Sequence, residues 1–439
     1  MRSFCIPIGM ALLCALPMVA GAQAQPPTSL LSAAATDAAP LTLNHAIERA
    51  FASNAGLRAA GRELDIAAGQ RQQAGALPNP ELSWLSEGMS KEARTTTIQL
   101  SQAIELGGKR GARIGAADQE RSMAAADLAI ARSTLRADVV TAFFDVVVAQ
   151  ELLALAHGSQ ELAQKVSATA ARRVAAGKVS PVEQTRARVA ESSARIELNQ
   201  AASALALARR RLAATWGGGA DFSAVASSDA GPAVPGPHDH ASSAADELRA
   251  HLPTSPTIAR ARGDIARQQA LADVERSKRV RDLTVSLGRK RDEQLGQSLT
   301  VIGVSIPLPL FDRNQGNLLS ALRRVDKARD QLQAAESSVG AELAQATVRR
   351  DIAAADLRIL REDILPGAQS AYDASAKGFE LGKFGFLDVL DAQRTLFQAR
   401  QQAIRAMAES YRAVADLERL IGTIEPEGRL TTPPYRNPQ

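Results

Sequence analysis

The second half of this chain repeats the first, and that duplication limits what the chain can fold into more than its composition does. Asn54-Ala55-Gly56-Leu57 matches Ser255-Pro256-Thr257-Ile258 at an offset of about 201 residues, which also carries Leu82 onto Leu283 and Trp84 onto Val285. The offset grows to about 204 where Ile98-Gln99-Leu100-Ser101 meets Ile302-Gly303-Val304-Ser305 and Leu106 meets Leu310. It reaches about 205 where Gly177-Lys178 meets Gly382-Lys383, Glu183 meets Asp388, and Leu212 to Gly217 meets Leu417 to Gly422. Small one-way shifts of this kind are left by loop insertions in a duplicated unit. A Gly-, Pro- and Ser-rich stretch at 218–243 separates repeat 1 (41–217) from repeat 2 (244–422) and reads as a linker.

Each repeat has the same internal order. A helix rich in Ala and Arg (43–76, then 244–279) leads into two alternating segments that read as β-hairpins at 80–106 and 281–310. Each hairpin span holds two strands of about 10 residues, the length a tilted membrane-crossing strand needs. Very long helices follow at 111–176 and 316–381, with return helices at 181–215 and 386–421. A helix of about 65 residues extends about 100 Å, far beyond the usual three turns. Apolar residues at heptad-like spacing (Leu128, Leu135, Val139, Val146, Leu153; Val182, Val189, Ile196; Leu390, Phe397, Ile404, Tyr411) predict side-by-side coiled-coil packing. Pro366 predicts a kink or local break in the second long helix.

Composition removes several classes. Apolar residues are 45% and charged residues 23% of 439, which excludes wholesale disorder. Beyond the N-terminus no apolar run of about 20 residues stands out, so a multi-pass helical membrane protein is not expected. The net charge of +5 is spread among acids without a basic tract, which argues against nucleic acid as a partner. Residues 1–24 read as a secretory signal: Arg2, an apolar stretch from Ile8 to Ala20, and Ala22-Gln23-Ala24. Both cysteines, Cys5 and Cys14, lie in that segment, so no disulfide, cysteine metal site or lipid anchor is expected in the remainder. An N-terminal extension (25–40) and a C-terminal tail (423–439) flank the repeats.

Four membrane-length strands cannot close a barrel, and open strand edges in lipid are prohibitively costly. The hairpins therefore demand oligomerisation: two chains would give eight strands, whose interior side chains fill, and three would give twelve and leave a lumen. The long helices would extend that closure into a helical tube.

The two-repeat plan, the hairpins followed by very long helices and the turn motifs resemble the TolC-type outer-membrane efflux factor family over about residues 41–422. Within it, QAIELGGKRGAR (102–113) and VSIPLPLFDRNQGN (304–317) resemble the CzcC-like heavy-metal (cobalt-zinc-cadmium) branch. The resemblance implies a mainly α fold with a small β part: a homotrimer with a twelve-stranded outer-membrane β-barrel continuous with a periplasmic α-helical barrel. It implies a passive channel, with no enzyme activity and no cofactor, that meets outer-membrane lipid. Its implied partners are a periplasmic adaptor (membrane fusion) protein and an inner-membrane proton-driven cation pump. Drug efflux or type I secretion, and from a different class a soluble periplasmic coiled-coil adaptor, are the competing readings.

The turns between long and return helices hold the candidate residues. In Gly177-Lys178-Val179-Ser180-Pro181-Val182-Glu183, cap chemistry accounts for Gly177 as a helix end and for Ser180, Pro181 and Glu183 as a capping box. Carboxylates in a first turn also suit the helix dipole, which covers Glu183, Asp388 and Asp391. The resemblance adds roles. Gly177, Lys178, Gly382 and Lys383 fall at adaptor-docking positions, Asp388 and Asp391 line the pore constriction, and Ser180 and Glu183 latch or cap the tip. Phe379 and Phe384 stand where the family carries polar latch partners, which leaves Lys178 or Lys383 to pair instead. His238 and His240 in the linker are the weak metal-ligand candidates, since two ligands in a loop do not make a site. No nucleophile–base constellation or phosphate-binding loop is present in the sequence.

Overall fold

The computed structural model describes residues 41–88, 90, 93–219, 222, 253, 255–381 and 383–421. The signal segment, the N-terminal extension, nearly all of the linker, residues 244–252 and the C-terminal tail lie outside them.

The first repeat begins with α1 (Leu43–Ser53) and α2 (Ala55–Ala74), two helices where the sequence pattern predicts one. Asn54 makes the break. Its backbone is extended (φ −68°, ψ 123°), its Oδ1 accepts the Leu57 N–H at 2.7 Å, and its Nδ2 donates to the Thr215 carbonyl at 2.8 Å. Asn54 thus starts α2 and ties it to the far end of the repeat. Strands β1 (Glu81–Glu87) and β2 (Thr95–Ile104) follow, then α3 (Lys109–Ala175) and α4 (Pro181–Ala214). The second repeat comprises α5 (Pro256–Ser277), β3 (Leu283–Asp292), β4 (Gln297–Ser305) and α6 (Gln315–Ile359). A π-helical turn (Leu360–Ile364) then leads into α7 (Leu365–Glu380), and α8 (Phe386–Ile421) returns. The expected kink at Pro366 takes the form of this widened turn. A proline lacks the N–H for the normal ladder, and a π turn redistributes the bonds without ending the helix.

The four strands form one antiparallel sheet in the order β1-β2-β3-β4. The central pairing, β2 with β3, joins the two repeats, with Thr95 opposite Asp292 and Ile104 opposite Leu283. Leu82, Leu100, Leu287 and Ile302 face one another in a row across all four strands, and each is more than half exposed. The opposite face of the sheet carries Ser83, Gln99, Gly288, Ser101, Ser286 and Gly303. A Cβ on Gly303 would sit 2.5 Å from Ser286 Oγ, so a side chain at 303 would displace that hydroxyl. Apolar side chains predominate on the first face, whereas the second mixes these small or polar residues with Leu85, Leu299 and Val301, and the first has the pattern of a lipid-facing barrel wall.

Each long helix is flanked by two shorter ones: α3 by α2 and α4, and α6 by α5 and α8. Helix α3 also packs against α5 and α8, which joins the repeats in the helical layer as β2–β3 joins them in the sheet. The main core lies midway along α3. There Val139, Phe143 and Val146 meet Leu43, Ile47 and Ala50 of α1, Leu205 and Leu212 of α4, and Trp216. Helix α3 contains one stretch apolar enough by length and composition to cross a membrane, a run the sequence reading passed over. Burial of Val139, Val146 and Phe143 in this core accounts for much of that apolarity. The Phe144 ring stacks on Tyr411 with centroids 3.6 Å apart, and Arg412 pairs with Asp145 at 2.5 Å, fastening α8 to α3.

The predicted seam on α4 differs from the observed one. Val182, Val189 and Ile196 are 56–62% exposed, while Ala187, Ala194, Leu205, Ala208 and Leu212 are buried. Alanines at the contact let the two backbones approach closely. The branched stripe remains free on the outer edge.

Candidate functional site

The helix–helix turns at the end remote from the sheet are built from backbone capping. At the end of α3, Gly177 adopts φ +65°, its N–H donates to the Val174 carbonyl at 2.9 Å, and the Lys178 N–H donates to the Arg173 carbonyl at 3.0 Å. These bonds are the five-to-two and six-to-one pair of a Schellman motif, which needs a left-handed residue at the position Gly177 holds. The second repeat has the same six-to-one bond, from Lys383 N–H to the Gly378 carbonyl at 2.8 Å. Gly382 itself lies outside the described residues.

Ser180 Oγ accepts the Val182 N–H at 3.3 Å and Pro181 occupies the first helical position, so Ser180 caps the start of α4 without the expected box with Glu183. The capping box is divided between the repeats. Ser180 supplies the forward bond in the first repeat but reaches the second helical N–H rather than that of Glu183, which donates to the Ser180 carbonyl at 3.0 Å. In the second repeat Asp388 Oδ2 accepts the Gly385 N–H at 2.8 Å, the backward bond. Gly385 stands where the first repeat has Ser180 and offers no hydroxyl, so the carboxylate caps alone.

Asp388 and Asp391 are both exposed in the first turns of α8, three residues apart and so near one face. Among the described residues neither Lys178 nor Lys383 forms an ion pair within the chain. A different contact ties α3 to α7 at this end. The Arg173 guanidinium lies 4.4 Å from the centroid of the Phe379 ring, which also packs with Val166, Ala170, Ala187 and Leu390. A cation over an aromatic face contributes about 0.5–1 kcal/mol when exposed. Glu183 lines a cavity of about 120 Å³ with Lys165, Thr169, Arg173, Val179 and Phe379.

Phe384 covers Gly378 so closely that a Cβ there would fall 2.0 Å from the ring. Arg173, Gly378 and this stacking were missed in the sequence, although the repeat held the signal. At the offset of 205, Gly378 occupies the position of Arg173, and the loss of that side chain makes room for the ring. His238 and His240 lie outside the described residues. Among the described residues no group of three or more His, Cys, Asp or Glu side chains is placed to hold a metal ion.

The sequence matches the family description "Outer membrane efflux protein" over residues 46–218 and 248–423, two stretches that coincide with the two repeats. It is 45% identical to the cobalt-zinc-cadmium resistance protein CzcC of Cupriavidus metallidurans, over 96% of this chain and all of that one. It is 28% identical to the nickel-cobalt-cadmium resistance protein NccC of Alcaligenes xylosoxydans xylosoxydans, over 74% of this chain and 70% of that one. Its fold matches the crystal structure of the outer membrane protein VceC of Vibrio cholerae with a TM-score of 0.71 at 21% identity, covering 87% of this chain and 96% of that one.

Proposed function

Because the chain belongs to the outer membrane efflux protein family, we propose that it is the outer-membrane duct of a tripartite system exporting divalent heavy-metal cations. In this reading three copies close a twelve-stranded barrel, and their helices continue it as a tube into the periplasm. The row Leu82–Leu100–Leu287–Ile302 carries the reading: a continuous apolar band on a sheet whose outer strands, β1 and β4, are both unpaired. Such a band and such edges are stable in lipid only when further strands complete the wall. The helical layer has matching free faces. Val182, Val189 and Ile196 of α4 are exposed on one edge, and Val348, Ile352 and Ile359 of α6 on the other.

The cargo class follows from the relatives, whose names specify cobalt, zinc, cadmium and nickel. Asp388 and Asp391 supply the chemistry, since a ring of carboxylates at a constriction favours cations over anions. The capped turns at Gly177–Ser180 and Lys383–Gly385 form the surface offered to a periplasmic adaptor, and a proton-driven inner-membrane pump supplies the energy that the duct lacks.

A deletion strain tests this, grown against zinc, cadmium, cobalt, nickel, copper and a drug panel with intracellular metal measured. Sensitivity and accumulation limited to divalent metals, reversed by the restored gene, are expected. Sensitivity to drugs alone, or recovery of the chain in the soluble periplasm, overturns the reading.

A further inference from the structure

The duplication allows one strand-to-helix junction to be read from the other. In the first repeat β2 enters α3 through Leu106 to Gly108, and Asp282, the residue just before β3, holds that passage. Its Oδ1 accepts the Leu106 N–H at 3.1 Å and the Lys109 ammonium at 2.7 Å. Lys109 is largely enclosed there, with 14% of its side chain exposed. The clamp therefore comes from the neighbouring strand and reaches the incoming helix.

The repeat offsets identify the corresponding residues in the second junction. An offset of 204 carries Leu106 onto Leu310 and Lys109 onto Arg313, and an offset of 201 carries Asp282 onto Glu81. Both charges keep their sign. Within one chain, however, the two residues lie on opposite sides of the sheet: Glu81 opens β1, one edge strand, and Arg313 follows β4, the other. Both are exposed, and neither forms an ion pair with any described residue. The Arg313 Nε donates at 3.3 Å to the Pro309 carbonyl, and its N–H donates to Gln315 Oε1 at 2.9 Å.

We propose that Arg313 pairs with Glu81 of an adjacent copy, closing the ring where barrel meets helical tube, in the geometry that Lys109 and Asp282 show inside one chain. The inference rests on the oligomeric reading above and adds its register. The β2–β3 pairing sets Ile104 opposite Leu283, and the same offsets set Leu308 opposite Leu82 of the next copy. The first junction also holds Arg113 on Glu105; the corresponding positions are Asn317 and Pro309, so only one of its two ion pairs is carried over. The register of the seam at this level therefore falls to Arg313 and Glu81.

Charge reversal tests the pair in the full chain, purified in detergent from outer membranes. Glu81→Arg and Arg313→Glu are each expected to lower the temperature at which the oligomer dissociates by several degrees, and the double reversal to restore it. The rescue also separates pairing from a failure to fold. If the parent is trimeric and single and double reversals all dissociate with it, or if the double reversal is no better than the singles, the pair is overturned alone. A monomeric parent overturns the oligomeric reading and the pair together.

Discussion

The ring of Phe384 lies on Gly378 with no room for a side chain between them: a Cβ at that glycine would stand 2.0 Å from Phe384 Cδ2. The contact folds the turn between α7 and α8 back onto the last turn of α7, alongside the Lys383–Gly378 and Phe384–Gly378 backbone bonds. An apolar contact thus stands where the resembled family carries a polar latch partner, as Phe384 in the sequence already implied. Gly378→Ala is expected to destabilise the tip by about 1–3 kcal/mol through overpacking. Adding Phe384→Ala should recover part of that loss. Hydrogen-exchange protection at residues 378–385 measures both effects, and unchanged protection in Gly378→Ala would rule the contact out.

Asp388 has two jobs that substitution can separate. Its carboxylate caps α8 through the Gly385 N–H, and its charge faces solvent beside Asp391. Asp388→Asn keeps an acceptor for the cap and removes the charge, whereas Asp388→Ala removes both and costs about 1 kcal/mol of helix start. In single-channel recordings Asp388→Asn and Asp391→Ala are expected to lower cation preference with the fold intact. Unaltered selectivity in the pair would exclude them from the filter.

Leu287 sits centrally in the exposed apolar row of the sheet, opposite Leu100 and Ile302. Leu287→Arg is expected to cost about 2–4 kcal/mol if that face meets the bilayer midplane. Ser83→Lys, on the opposite face, should assemble normally. The yield of heat-modifiable oligomer in outer-membrane fractions compares the two, and equal yields would argue against a lipid-facing band.

Acid sensitivity is expected at the β4–α6 junction. The hydrogen bond from Asn314 Nδ2, at 2.8 Å, holds the Glu275 carboxyl below the usual carboxylate range; Lys278 at 2.6 Å adds to this, and burial opposes both. A carboxylate held low when folded contributes stability above its unfolded pKa of about 4.3 and loses it as pH falls through the lowered folded value. Glu275→Gln should therefore weaken the junction at neutral pH and flatten its response to acid. Limited proteolysis between β4 and α6 across a pH series measures the difference, and parallel curves for both proteins would remove Glu275 from the account.

At the tip of the first repeat, Arg173→Ala is expected to cost about 0.5–1 kcal/mol by uncovering the Phe379 ring. Arg173→Lys should retain part of this contact, whereas Lys178→Ala should have little effect. Thermal melts of the detergent-solubilised protein rank the three, and a melt for Arg173→Ala that matches the parent counts against the contact.

The order of elements was legible in the sequence because it depends on local periodicity. Hairpins at 80–106 and 281–310 and return helices from Pro181 and Phe386 fall where alternation, heptads, glycine and Ser-Pro signals place them. The capping of the α3–α4 turn was equally local, since Gly177 ends α3 and Ser180 starts α4 on their own backbone. Three features were settled by neighbours distant in sequence. Asn54 breaks its helix because its amide reaches Thr215, 161 residues away. Val182, Val189 and Ile196 have the spacing of a seam, yet α4 meets α3 through alanines and leucines. Periodicity reports that a face is apolar but not which element covers it. Phe384 packs onto α7 because Gly378 leaves space beneath it, and that space exists only once the turn has folded back. The sequence by itself determined a duplicated unit of hairpin and long helices, because duplication and amphipathic period are written along the chain. Tertiary structure decided which faces are filled and which stay open, because packing depends on volumes that meet only in space.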